Sequence, residues 1–205
     1  MFIKLLKKMD KIIYFDFEAT GLNPYHIKII EYAFIKEDKT FLSSLINPEE
    51  QLEKKITEIT NITNDMLKDA PKLQQKTCEI WEYIYASYKP NQKIYMIAHN
   101  VDGYDRFLLK RIFANDHLKL KFLKDHVVFI DSLHLSKLVL PTMRSFSMKT
   151  LCKIFQIDSG NHRAYGDTIA LQKVYKTLIK KLCQKYGKSD TYFLENPDKV
   201  YDVLY

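Results

Sequence analysis

IIYFDFEATGLNP, residues 12–24, begins as a run of aliphatic and aromatic side chains and then carries two acids, Asp16 and Glu18. The run, closed by the turn signal Gly21-Leu-Asn-Pro24, reads as a buried strand over 11–17. Side chains alternate along a strand, so Asp16 and Glu18 share one face while Phe15 and Phe17 share the other. Burying one unpaired carboxylate costs several kcal/mol, and a second on the same face adds repulsion. Positive charge is therefore required at the end of this strand.

Outward from it, IKIIEYAFIK (27–36) and TFLSSLIN (40–47) read as strands joined by a short turn, EDK. After Pro48 the chain turns polar and is expected to be helical in short pieces. A helix is predicted over 70–88, where Leu73, Ile80, Trp81, Ile84 and Tyr85 recur at helical spacing behind Pro71. KIYMIAHN (93–100) and HVVFIDS (126–132) complete five strands. Helices are predicted over 104–113, in LHLSKLVL, over 147–155 behind a serine cap, and from about Asp167 to Tyr186. The apolar stripe of this last helix is Leu171, Val174, Tyr175, Leu178 and Leu182. Strands first, then strands alternating with helices, make an α/β layout with a mixed sheet.

The 205 residues fit one domain, and a hydrophobic content of 46% supplies a core. A net charge of +7 leans toward an anionic partner such as nucleic acid, though a Lys-rich surface alone is weak support. Cys78, Cys152 and Cys183 are odd in number and far apart, which argues against a zinc site or a disulfide framework. A reducing compartment follows: intracellular, cytoplasmic or nuclear, and not secreted. The basic opening MFIKLLKKMDK has too short an apolar run for a signal peptide, and no segment is long enough to span a bilayer, so no membrane partner is expected. Residues 1–10 are expected to be a flexible leader, 11–187 the domain, and 188–205 a tail with room for one short helix.

Three segments combine acids with unusual neighbours. The first ends the opening strand at Asp16 and Glu18. The second, AHNVDGYDRFLL, runs from a strand through a loop into a helix near Asp105. In the third, NHRAYGDTIAL, His162 stands five residues before Asp167 on a loop feeding the last helix. Each has an ordinary reading: a strand-end ion pair, helix caps at Asp105 and Asp167, a surface histidine, and loop residues His99 and Asn100 satisfying backbone groups. Together, four carboxylates at strand ends and helix starts need cations to coexist. Arg106, Arg111 and Arg163 are near in sequence, but hard divalent ions meet the need better, since oxygen-only ligands suit Mg²⁺. Two such ions ~3.5–4 Å apart clamp the attacking and leaving oxygens of a phosphoryl displacement, and His162 is of the type that accepts a proton near neutrality. The parts make a phosphodiesterase site.

Asp16, Glu18, Asp105 and Asp167, with His162 before the last, resemble the DEDDh group of DnaQ-like 3′–5′ exonucleases. DFEATGL, AHNVDGYDRFLL, SFSMKTL and HRAYGD are most similar to TREX-type 3′ exonucleases, in order and character over roughly residues 11–180. Ile30-Glu31, INPE, ITNITNDML and FIDSL add family-like pieces. The resemblance implies an RNase H-like fold with a central mixed five-stranded sheet flanked by helices. It implies two Mg²⁺ per active site, with Mn²⁺ able to substitute, held by Asp16, Glu18 and Asp167, with Asp105 ligating directly or through water. His162 would be the general base. Ala19, Thr20, Gly21 and Leu22 would grip the 3′-terminal nucleotide, and His99, Asn100, Tyr104, Ser145 and Ser147 would line its track. Thr60 stands where the family often carries His, Val101 replaces a common Gly, and the polyproline loop of mammalian members is absent.

The expected reaction is metal-dependent release of nucleoside 5′-monophosphates from DNA 3′ ends, single-stranded or frayed ends preferred. Trimming of RNA 3′ ends is the enzymatic rival, and a non-catalytic nucleic-acid-binding module is the third reading. Relatives that pair through an edge strand make a homodimer a further expectation, with TFLSSLIN as a candidate edge.

Overall fold

The computed structural model describes residues 11–21, 23, 26–159 and 162–205; the expected leader and Leu22 lie outside the described residues. Five strands form one mixed sheet: β1 (Ile12–Ala19), β2 (Ile29–Lys36), β3 (Phe41–Leu45), β4 (Ile94–Ala98) and β5 (Val127–Asp131). Their spatial order is β3-β2-β1-β4-β5. β2 runs antiparallel to β1 and β3, whereas β1, β4 and β5 are parallel. β1 is central, so its residues from Ile12 to Phe15 are fully buried.

The polar stretch after β3 forms α1 (Lys54–Thr60) and α2 (Asn64–Leu67), the latter capped by the Thr63 side chain on the Met66 N–H. α3 (Leu73–Tyr85) and α4 (Asp105–Ile112) follow as expected. Between α4 and β5 the structure adds α5 (His117–His126), which the apolar spacing did not mark. Its start was legible in principle, because Asp116 accepts the Lys119 N–H as an N-cap. α6 (Ser132–Val139) and α7 (Met148–Phe155) precede α8 (Ala164–Lys185), and the tail forms α9 (Tyr192–Glu195) and α10 (Pro197–Leu204). All five residues of the predicted α8 stripe are buried.

Two layers of core lie on opposite faces of the sheet. Ile13, Phe15 and Phe17 of β1 pack with Ile80 and Ile84 of α3 and Leu108 and Leu109 of α4. Ile12 and Tyr14, on the other face, pack with Leu171, Val174, Tyr175 and Leu178 of α8. The alternation read from the sequence thus assigns the face of Asp16 and Glu18 to α8.

Candidate active site

β1 continues past the expected end at Phe17 to Ala19, with a register shift between Glu18 and Ala19, beyond which Ala19 still pairs with Ile29 of β2. The extension keeps both acids within the strand and aims them at the first turns of α8. That helix starts at Ala164, three residues before Asp167, so Asp167 lies about one turn inside it rather than capping it. One carboxylate oxygen from each of Asp16, Glu18 and Asp167 lies within 4.8 Å of the other two.

Asp105 is the first residue of α4 and is 3% exposed. It makes no cap either: its Oδ1 accepts the Phe17 N–H of β1 at 3.2 Å, which places it beside Asp16. The cap readings of Asp105 and Asp167 therefore both give way, with Tyr104 and Arg163 in the N-cap positions.

Burial and mutual repulsion hold these carboxyls above the ordinary carboxylate range. Asp167 is pushed up to about 8, first by burial, then by Asp16 and Glu31. Burial also raises Asp16, helped by Glu31, and raises Glu18, helped by Asp16, Asp167 and Glu31. Asp105 is raised by burial and by Asp16. In the opposite direction, Arg163 acts on Glu18, and the Phe17 N–H that Asp105 accepts lowers Asp105. The other arginines are directed elsewhere: Arg106 to Asp102 at 2.8 Å and Arg111 to the Ile27 carbonyl at 2.9 Å. An all-oxygen trio short of positive charge fits a hard divalent cation.

The trio opens into a cleft of about 950 Å³. Of the sequence-predicted residues, Asp16, Glu18, Ala19, Thr20, Gly21, His99, Asn100, Tyr104, Asp105, His162 and Asp167 line it. Loops hold them in place through specific bonds. The Tyr104 hydroxyl donates to the Gly21 carbonyl at 2.8 Å, joining the turn after β1 to the loop after β4. Thr20 bridges to Lys28 through its amide at 2.9 Å and through its hydroxyl at 3.0 Å. A Cβ at Gly21 would meet the Ile27 side chain at 3.0 Å, so any larger residue there would have to displace it. The His99 ring meets the Ser132 hydroxyl at 2.9 Å, and burial pushes its pKa down. Asn100 has a left-handed backbone (φ 66°) fixed by its N–H on Asp131. His162 is exposed on the rim, also left-handed at φ 52°.

Ser145 and Ser147 stand apart from the cleft lining. Ser147 caps α7 by accepting the Thr150 N–H at 3.3 Å, and Ser145 meets the Thr150 hydroxyl at 3.1 Å. The next residues, Met148 and Lys149, do line the cleft. α1 lines the cleft as well, through Thr60, which stands where the family often carries His, and through Lys55, Ile56 and Ile59, which the sequence reading did not assign to the site. Thr60 is turned inward, its hydroxyl donating to Ile56 and accepting from Ile62. Glu31 is the other omission: it accepts Arg163 at 2.7 Å and the Ala164 N–H at 2.8 Å.

Residues 13–175 match the exonuclease family model (RNase_T). The chain is 31% identical to the PolC-type DNA polymerase III of Bacillus cereus over 93% of its own length, but spans only 14% of that protein. It is 24% identical to the DNA polymerase III subunit epsilon of Aquifex aeolicus, covering 96% of each chain. Among solved structures, an exonuclease I superposes with a TM-score of 0.69 at 18% identity, over 82% of this chain and 40% of that one. Exonuclease I of E. coli in complex with single-stranded DNA superposes at 0.65 and 17% identity, over 81% of this chain and 40% of its own. The mixed sheet flanked by helices is thus the RNase H-like exonuclease fold. With the family model covering most of its length, the chain belongs to the DnaQ-like, DEDD-type 3′–5′ exonuclease family.

Proposed function

We propose that this chain hydrolyses phosphodiester bonds from the 3′ end of DNA, taking single-stranded or frayed ends and releasing nucleoside 5′-monophosphates. The observation that carries this reading is the trio Asp16, Glu18 and Asp167, packed within 4.8 Å without enough positive charge, at the base of an open cleft. Divalent ions, Mg²⁺ or Mn²⁺, would supply charge neutralisation and a clamp on the attacking and leaving oxygens. The trio would hold them, with Asp105 completing the set directly or through water.

His162 accepts the proton of the attacking water on an imidazole nitrogen; its place on the rim gives it access to solvent. The backbone of Ala19–Gly21 receives the terminal nucleotide, and His99, Asn100 and Tyr104 orient the strand. Lys55 and Lys149, both in the cleft lining, suit backbone phosphates. DNA is favoured over RNA because the relatives are named DNA polymerases and two exonuclease I structures hold DNA oligonucleotides. β3 is an outer strand of the sheet with Phe41 exposed, which is where a second copy would add.

The test is a panel of single-stranded, duplex and mismatched DNA and single-stranded RNA, each labelled separately at the 3′ and 5′ ends. Ladder formation from 5′-labelled single-stranded DNA, immediate mononucleotide release from the 3′ label, and loss of both in EDTA are expected. Degradation of RNA with DNA left intact would contradict the substrate assignment.

A further inference from the structure

We propose that Glu31 is a positioning residue of this active site: by holding Arg163 and Ala164 it sets where His162 and Asp167 stand relative to the acids of β1. The inference rests on reading the acidic trio as the reaction centre.

Glu31 interrupts an otherwise apolar strand, IIEYAFIK, and is 5% exposed. It lies directly opposite Glu18 in the β1–β2 register, so the two side chains share the face that meets α8. Both of its oxygens are occupied. Oε1 accepts Arg163 Nε at 3.1 Å and a guanidinium nitrogen at 2.7 Å; Oε2 accepts Nε at 3.1 Å and the Ala164 N–H at 2.8 Å. Of the acids gathered here, Glu31 is therefore the one neutralised within the protein, and Asp16, Glu18 and Asp167 are left to share a cation.

The bond to Ala164 has a second consequence. The N-cap position of α8 is Arg163, whose side chain makes no cap bond. A helix start leaves its first N–H groups without partners, and Glu31 supplies one acceptor from a neighbouring strand. Its negative charge is also favourable at that helix end. His162, immediately before, has a left-handed backbone that a non-glycine residue keeps only when its surroundings enforce it. Arg163 and Ala164, clamped to one carboxylate, fix the chain just after His162 and three residues before Asp167. Glu31 thus couples the β1 acids to the α8 acid and to the proton acceptor.

The test compares wild type with D16N, E31Q, E31D, R163M and the double variant E31Q/R163M. Readouts are steady-state kinetics on a single-stranded oligonucleotide, thermal melting, and Mn²⁺ affinity by calorimetry. E31Q is expected to lower kcat by roughly 10- to 100-fold and to weaken Mn²⁺ binding by about 10-fold, with KM little changed. E31D, which keeps the charge, is expected to recover part of both. The double variant is expected to lose no more than the worse single variant, because one pair is being broken twice. Should E31Q not melt cooperatively, E31D decides in its place: a partial loss of kcat and Mn²⁺ affinity supports the inference, and wild-type values of both, with D16N inactive, overturn it. Wild-type kcat and Mn²⁺ affinity in E31Q, with D16N inactive, would overturn this inference alone. An active D16N would overturn the reading of the trio instead.

Discussion

Glu37, buried, and the half-buried trio Asp16, Glu18 and Asp167 both lie along the face where α8 crosses β1 and β2, and of these the trio faces a cleft. At one end Glu37 is paired with Lys176 at 2.6 Å and accepts the Tyr14 hydroxyl at 2.5 Å. At the other end Asp16, Glu18 and Asp167 crowd together, and the nearby arginine is taken up by Glu31. Tyr14 and Tyr175 are fully buried at the Glu37 end, the trio lines the cleft, and α8 is continuous across the two. The difference is compensation. A buried acid with a partner is a structural element, whereas three with too little positive charge beside them among the described residues, facing a cleft, would be relieved by a cation.

The largest contrast is expected in activity. His162→Ala is expected to lower kcat by about 10²- to 10⁴-fold, the range of a lost general base, while Lys176→Met leaves the rate unchanged. Kinetics on one oligonucleotide substrate checks both. Equal rates in H162A and wild type would remove the histidine from the mechanism.

A second contrast lies in how stability depends on pH. The trio's carboxyls have folded pKa values above their unfolded ones, so the folded state binds more protons between them. By linkage, the metal-free protein then loses stability as pH rises from the unfolded carboxylate value of about 4. For Asp167 the loss continues through about 8. Melting temperature in EDTA is expected to fall across this window, and Mg²⁺ to raise it most at the alkaline end. Asp167→Asn is expected to make the metal-free slope shallower; an unchanged slope would mean that the repulsion is relieved in some other way.

The smallest effect belongs to the compensated end. Lys176→Met leaves Glu37 buried with only the Tyr14 hydroxyl and is expected to cost about 1–3 kcal/mol in a denaturant melt. Because Lys176 is 39% exposed, the lower part of that range is expected. A larger loss accompanied by lost activity would show that the two ends are not independent.

Much of this arrangement was legible in the sequence because it rests on local period and local chemistry. The alternation in β1 placed Phe15 and Phe17 against one layer and the acids toward the other, and the α8 stripe named the helix that covers them. What escaped notice depends on contacts distant along the chain. Glu31 and Arg163 are 132 residues apart, and nothing in the sequence pattern of either predicts their pairing. The same energetic objection that singled out Asp16 applied to Glu31, an acid inside IIEYAFIK, and was the signal available. α5 was missed because its apolar residues do not form one clean stripe. α1 was foreseen only as a short helical piece, since its role as a cleft wall depends on the tertiary fold. The TREX-type likeness of DFEATGL and HRAYGD sits beside relatives that are DNA polymerase III chains, so the motifs speak for the shared chemistry more than for a biological role.

The most direct measurement is calorimetric titration of Mn²⁺ at about pH 7 into wild type, D16N and K176M, repeated in buffers of different ionisation enthalpy. Wild type and K176M are expected to bind Mn²⁺ saturably and to release protons as they do, because carboxyls held up by burial and repulsion ionise when a cation arrives. D16N is expected to lose most of the binding and of the proton release. Absence of binding in wild type, or the same affinity and proton release in D16N, would contradict the assignment of the uncompensated acids as a metal site.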